Sequence, residues 1–291
     1  HSRGTLYNMA PPTQGVVSLM ILAIVDRLGA VVPESADYVH AIVEATKQAF
    51  GVRDRYLTDP KFMQLEAGEL LADAALAKLV GRIDPALAKP WGARAARGDT
   101  VWMGVIDGEG RAVSFIQSLY HEFGSGIVLE ATGLNWQNRG CSFSLDPESL
   151  NALAPGRKPF HTLNPALALL SDGRTLAYGT MGGDGQPQTQ AAVFTRHVVH
   201  GMTLQQAVAA PRWLLGRTWG SMSESLKMEG RFDPALLAQL RTRGHEIEVV
   251  ADYDEIVGHA GAVSCDSHGG FEGGFDPRSD GAVATPRTIS A

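Results

Sequence analysis

Gly98-Asp99-Thr100-Val101-Trp102-Met103-Gly104-Val105-Ile106-Asp107-Gly108-Glu109-Gly110, followed by Arg111-Ala112-Val113-Ser114-Phe115-Ile116-Gln117-Ser118, is where the chain changes character. Val101 to Asp107 and Ala112 to Ser118 are strand-like runs, and Glu109-Gly110 supplies the turn, so the stretch reads as a β-hairpin. Thr100 puts a hydroxyl at the strand start. It follows residues 82–99, which are rich in Ala, Arg, Pro and Gly and read as an exposed, cleavable loop. About eighty residues on, Gly179-Thr180-Met181-Gly182-Gly183-Asp184-Gly185 is a glycine turn whose bare amides can face an oxyanion.

Working outward, residues 1–15 read as an irregular lead-in, with Pro11-Pro12 closing off helix and Gly15 marking a turn. Val16 to Leu28 is apolar nearly all round and stops at Gly29. Ser35 can cap a helix from Ala36 to about Ala49, and a third helix fits Gly68 to Val80. Pro165 to Leu170 and Thr175 to Tyr178 form a second hairpin around Asp172-Gly173. Helices are expected at Thr189 to His200, Leu204 to Ala209 and Phe232 to Gly244, the last opened by Asp233-Pro234. Short strands follow at Glu246–Val250 and Ala262–Ser264, and the Gly- and Asp-rich tail from Gly269 reads as loop. Helices, then strands, then both again fit a layered α+β domain.

Composition narrows the function. With 44% hydrophobic and 19% charged residues, the 291-residue chain is globular rather than disordered. A net charge of −6 with scattered cations argues against nucleic acid, which binds through clustered Lys and Arg. The apolar run Val16 to Val25 is too short to span a bilayer. Cys141 and Cys265 cannot build a disulfide framework, and no Cys/His spacing suggests zinc, so neither metal nor cofactor is expected. The compartment reads as cytoplasmic rather than periplasmic. The opening His-Ser-Arg-Gly, without Met, reads as a fragment or processed product.

The constellation as a whole resembles the gamma-glutamyltransferase family of N-terminal-nucleophile (Ntn) hydrolases. Asp99-Thr100, Phe123-Gly124-Ser125-Gly126-Ile127-Val128, Gly133-Leu134-Asn135, Lys158-Pro159-Phe160, Asn164-Pro165, Gly182-Gly183, Ala210-Pro211-Arg212 and Asp276-Pro277-Arg278-Ser279 follow the order of that family's small subunit. The resemblance implies an αββα sandwich, with residues 1–99 as part of the large-subunit region and 100–291 as the small catalytic subunit. It also implies self-cleavage between Asp99 and Thr100. A freed α-amine, with a reference pKa near ~7.7–8.0, can then take the hydroxyl proton without a histidine. In this reading Gly182 and Gly183 form the oxyanion hole and Ser118 hydrogen-bonds the nucleophile.

Departures from the family pattern point to the substrate. Positions that hold a glutamyl α-amino group with Gln and Asp in the family carry Arg139 and Ser142 here. The Ser-Ser that binds the α-carboxylate reads His161-Thr162, and a nearby Asn reads Tyr120. Arg139, His161 and Thr162 can bind a carboxylate, whereas an ammonium would face Arg139 unpaired. The pattern is similar to the oxamate amidohydrolase branch, which also shows Trp136-Gln137-Asn138-Arg139-Gly140. The expectation is an autoprocessing amidohydrolase acting on a small carboxylate-bearing amide. Glutathione hydrolysis with γ-glutamyl transfer, and an uncleaved inactive binding module, are the alternatives. Implied partners are the small amide, a missing N-terminal part of the large subunit, and a second copy in a homodimer of heterodimers.

Overall fold

The computed structural model describes residues 1–29, 31–92, 99–216 and 223–285. The lead-in is not irregular: Gly4–Tyr7 forms strand β1. It pairs antiparallel with β6 (Ala166–Leu170), Gly4 opposite Leu170 and Tyr7 opposite Leu167. Its strand character comes from that distant open edge, which local patterning does not reveal.

Helix α1 (Gly15–Leu28) is buried along most of its length, as an all-round apolar sequence requires. Helix α2 (Ala36–Tyr56) starts where expected, with Ser35 Oγ accepting the Tyr38 N–H at 3.2 Å. It runs beyond Ala49, where Arg53 is buried and paired with Asp54 and Asp184 rather than solvated. The expected third helix divides into α3 (Ala67–Leu70) and α4 (Asp73–Val80). A capping box between Glu66 and Glu69 opens the first, and Leu71 closes it by donating to Gly68 O at 3.1 Å.

The hairpin is β2 (Asp99–Ile106) and β3 (Ala112–Tyr120), with Met103 opposite Phe115 and a bulge between Asp99 and Val101. Short strands β4 (Val128–Leu129) and β5 (Leu134–Asn135) pair with each other. Next come β7 (Thr175–Thr180) and α5 (Gly185–Phe194), which begins four residues earlier than its periodicity suggested. Its last turn widens into a π-helical segment, Thr195–Val199, where Thr195 Oγ1 donates back to Ala191 O at 2.7 Å. Helix α6 (Leu204–Ala209) follows. Strands β8 (Trp213–Leu215), β9 (Leu226–Glu229) and β10 (Ile247–Val250) form a small sheet beside α7 (Pro234–Thr242). Asp233 caps α7, accepting from Ala235 N at 2.8 Å. Finally β11 (Ala260–Cys265) pairs with β12 (Phe271–Phe275), so the tail read as loop contributes a strand. Its glycines, Gly273 and Gly274, sit against Val283 and the Leu204 backbone, where side chains would collide.

The main sheet has the order β1-β6-β7-β11-β12. Helices α1, α2 and α5 pack together beside it, with α5 against β7, and bury the core; the β2–β3 hairpin covers the other side. Helix, sheet and hairpin are three layers of an αββα sandwich, and an outer helical layer over the hairpin is not among the described residues. Val101, Met103, Val105, Val113 and Phe115 therefore leave one apolar hairpin face exposed. On the inner face Trp102 lies across Gly179 and Gly261, which leave it room. Among the described residues no helix is long and apolar enough to cross a membrane.

Candidate active site

The register of the two layers sets where the start of β2 lies. On the inner face of β2, the space beside Gly104 is bounded by Val263, and Trp102 sits against Gly179 and Gly261. Val263 pairs with Ala177, and Gly261 with Gly179. Each two-residue step back along β2 therefore advances two residues along β7, from Ala177 beside Gly104 to Gly179 beside Trp102, so β2 runs back toward the Gly182-Gly183 end of β7. Thr100 is the single residue opposite Ser118 and Leu119, the bulge falling on β3. Its Oγ1 donates to Ser118 Oγ at 3.0 Å, from the facing strand.

Ser118 Oγ also accepts the Tyr120 N–H at 2.9 Å and an Arg139 Nη2 hydrogen at 3.2 Å. Arg139 Nη1 donates to Thr162 Oγ1 at 3.2 Å, and its guanidinium lies 4.3 Å from the Tyr120 ring centre. Tyr120 holds a positive φ of 80°, a strained backbone that turns its ring under the cation. Arg139 is only 5% exposed, so it is a buried cation rather than a surface one. Among the described residues no carboxylate pairs with it. Burial lowers its pKa to about 10, which leaves it charged at neutral pH. His161 is pushed down to about 4 by burial and by the Arg139 charge, and its buried Nδ1 has no partner. It is neutral at working pH and can offer a hydrogen bond but no charge.

Gly182 and Gly183 have φ of 118° and 54°, values that suit glycine. Their carbonyls start α5, accepting from Gly185 N at 2.8 Å and Gln186 N at 3.2 Å. Among the described residues neither glycine N–H meets an acceptor. Two bare donors at a helix N-terminus suit an oxyanion.

The predicted site residues do not all converge. Thr100, Ser118, Tyr120, Arg139 and Thr162 form one continuous network, which Gln14 ties to the Gly183 carbonyl. Ser142 stands apart from these bonds, on the wall of an adjoining cavity of about 640 Å³ that Tyr120, Phe160, Arg53 and Asp184 also line. Asp99 lies in β2 opposite Tyr120, while the rest of the expected cleavable loop, residues 93–98, falls outside the described residues. Sequence reading missed Gln14, Arg53 and Asp184. Gln14 Nε2 donates to Gly183 O at 2.8 Å and to Thr162 O at 3.1 Å. Arg53 Nη1 meets Asp184 Oδ1 at 2.9 Å and Gln14 Oε1 at 3.3 Å. Their only signal was a charged cluster, Arg53-Asp54-Arg55, which ordinarily reads as a solvated helix end.

Known proteins resemble this chain along nearly its whole length. The family model of gamma-glutamyltranspeptidase matches residues 2–285. The chain is similar to the oxamate amidohydrolase proenzyme of Klebsiella pneumoniae, 60% identical over 98% of this chain and 54% of that protein. It is 45% identical to the glutathione hydrolase-like YwrD proenzyme of Bacillus subtilis, over 96% of this chain and 53% of that one. Among solved structures, a cephalosporin acylase from Bacillus halodurans superposes with a TM-score of 0.84 at 35% identity, covering 96% of this chain and 50% of the other. The chain thus spans about half the length of the relatives it matches.

Proposed function

Since the chain belongs to the gamma-glutamyltranspeptidase family, we propose that it is the catalytic part of an autoprocessing N-terminal-threonine amidohydrolase whose substrate is a small carboxylate-bearing amide such as oxamate. The observation that carries this reading is the unbroken hydrogen-bonded path from Thr100 through Ser118 and Arg139 to Thr162. In this reading Thr100 and the buried Arg139 meet at the one Ser118 hydroxyl, and Gln14 joins Thr162 O to Gly183 O.

In maturation, Thr100 Oγ attacks the Asp99 carbonyl. The acyl group shifts from nitrogen to oxygen, and water hydrolyses the ester to leave the Asp99 carboxylate and a free Thr100 amine. In turnover that amine, directly or through a water, takes the hydroxyl proton while Oγ adds to the substrate amide carbon. The oxyanion forms against Gly182 and Gly183 N–H groups. Arg139 holds the adjacent carboxylate, with Thr162 and neutral His161 as hydrogen-bonding neighbours. The proton passes to the departing ammonia, and water then hydrolyses the acyl ester to release the diacid. Tyr120 sets the guanidinium plane by stacking.

An N-terminal part of the large subunit completes the fold in this reading. It covers the apolar hairpin face that Val101, Met103, Val105, Val113 and Phe115 leave open. A γ-glutamyl substrate is the second reading, favoured by the likeness to the glutathione hydrolase-like relative. Its ammonium would have to sit beside Arg139.

The test is the mass of the full-length protein and its Thr100→Ala variant. The parent should yield two fragments meeting at Thr100, and the variant one uncut, inactive chain. Efficient cutting of the variant would refute the assignment.

A further inference from the structure

Two consecutive glycines of positive φ cannot hold their own N–H groups in place. Glycine has the widest backbone freedom of any residue, and a pre-organised oxyanion site needs donors that do not reorient during the reaction. Something outside the turn must fix it. We propose that Gln14, locked by Arg53, is the positioning residue that fixes the oxyanion turn relative to the substrate-binding threonine; this rests on the function proposed above.

Gln14 is fully buried, and one nitrogen does both tasks. Nε2 donates to Gly183 O at 2.8 Å, which restrains rotation about the Cα–C bond of Gly183. The same atom donates to Thr162 O at 3.1 Å, the backbone of a side chain that accepts from Arg139. Its Oε1 accepts from Arg53 Nη1 at 3.3 Å, which orients the amide so that nitrogen faces the turn. Arg53 is anchored in its own right. It is 4% exposed, pairs with Asp184 Oδ1 at 2.9 Å and Asp54 Oδ1 at 2.7 Å, and lies 4.1 Å from the Phe50 ring centre. Asp184 immediately follows Gly183, so Arg53 braces the turn from the far side while Gln14 braces it from within.

The geometry also sets where this control sits in the chain. Gln14 and Arg53 precede Asp99, whereas Gly183, Asp184 and Thr162 follow Thr100. After cleavage the two halves of the brace belong to different fragments, held together by these bonds beside the β1–β6 pairing and the packing of α1 and α2 on α5.

The experiment uses the full-length precursor, with oxamate hydrolysis followed by ammonia release and normalised to the Thr100-terminated fragment counted by mass. Gln14→Met keeps volume and removes every bond. Gln14→Glu keeps an acceptor for Arg53 but loses both donated bonds. Both should lower kcat per cleaved site by about 10- to 100-fold, short of the ~10²–10³ typical of deleting an oxyanion donor, with KM changed less than about threefold. Gly183→Val is run beside them. Wild-type kcat in the Gln14 variants with kcat lost in Gly183→Val overturns the brace and leaves the oxyanion assignment standing. Wild-type kcat in all three overturns both. Arg53→Lys is the second probe should the Gln14 variants fail to fold, since it keeps a cation near Asp184 but withdraws the fork from Gln14. A kcat-selective loss there supports the brace, and wild-type kcat overturns it.

Discussion

Arg139 is surrounded by groups that do not neutralise it: the hydroxyls of Ser118 and Thr162 and the face of Tyr120. A buried charge without a counter-ion costs stability, and a carboxylate ligand removes that cost on binding. Arg139→Gln should therefore leave the melting temperature unchanged or higher, yet lower kcat/KM for oxamate at least 100-fold, about 2.7 kcal/mol of transition-state binding. A large loss of stability with unchanged kcat/KM would mean that the residue is structural. Adding Ser142→Asp to Arg139→Gln should move preference toward γ-glutamyl amides, measured as the ratio of kcat/KM for glutathione and oxamate. Ser142 lies on a cavity wall beside Tyr120 rather than in the network, so a carboxylate there would meet the part of a substrate beyond the reacting amide.

At the scale of elements, the two β-layers are keyed together by Trp102. Its ring lies over Gly179 and Gly261, and its Nε1 donates to Ser114 Oγ at 3.0 Å across the hairpin. A methyl at Gly179 would overlap the ring at Cδ1 and Nε1, with no flexible side-chain end to yield. Gly179→Ala should thus cost ~1–3 kcal/mol, read from denaturant midpoints, and should also depress activity, because Thr100 is two residues from Trp102. A neutral substitution would show that the layers slide freely. The elements best read from sequence were those whose signals are local: α1 from its apolar run, α6 over Leu204 to Ala209, α7 with Asp233-Pro234, and both long hairpins. Strands β1 and β12 were missed because a neighbouring strand, not their own pattern, makes them strands.

For the whole molecule, acid is the expected weakness. His161 and His245 are held near 4 and 3, the first by burial and Arg139, the second by burial and the charges of Lys47, His40 and Arg243. His40, which meets His245 at 2.8 Å, is lowered as well, chiefly by burial. Each folded value lies below the ordinary value of ~6.5, so the unfolded chain takes up protons first as pH falls. Their contribution is complete above about pH 6.5 and drains as pH falls from there, to about 4 for His161 and about 3 for His245. Melting temperature should fall over that window, and His245→Asn should flatten the slope; an equally steep profile in the variant would remove His245 from the account. The exposed hairpin face gives a second expectation at this scale. Supplying the N-terminal part proposed to cover it should protect Val101 to Val105 amides from hydrogen exchange, and unchanged exchange would mean that it docks elsewhere.

By itself the sequence determined the layered α+β plan, the strand start at Thr100, the glycine turn and the family, because each is written in residues close together along the chain. It also named Ser118 and Arg139, whose roles follow from side-chain chemistry once the family pattern is seen. The tertiary structure decided what depends on distance: that Arg139 is buried with no carboxylate partner among the described residues, that His161 is neutral, and that Ser142 stands off the network. It alone brought Gln14 and Arg53 against Gly183 and Asp184, separated by more than a hundred residues of sequence. A buried polar contact leaves no periodic trace, since its partners are chosen by the packing of helices α1, α2 and α5 against one another and not by the pattern of any one of them.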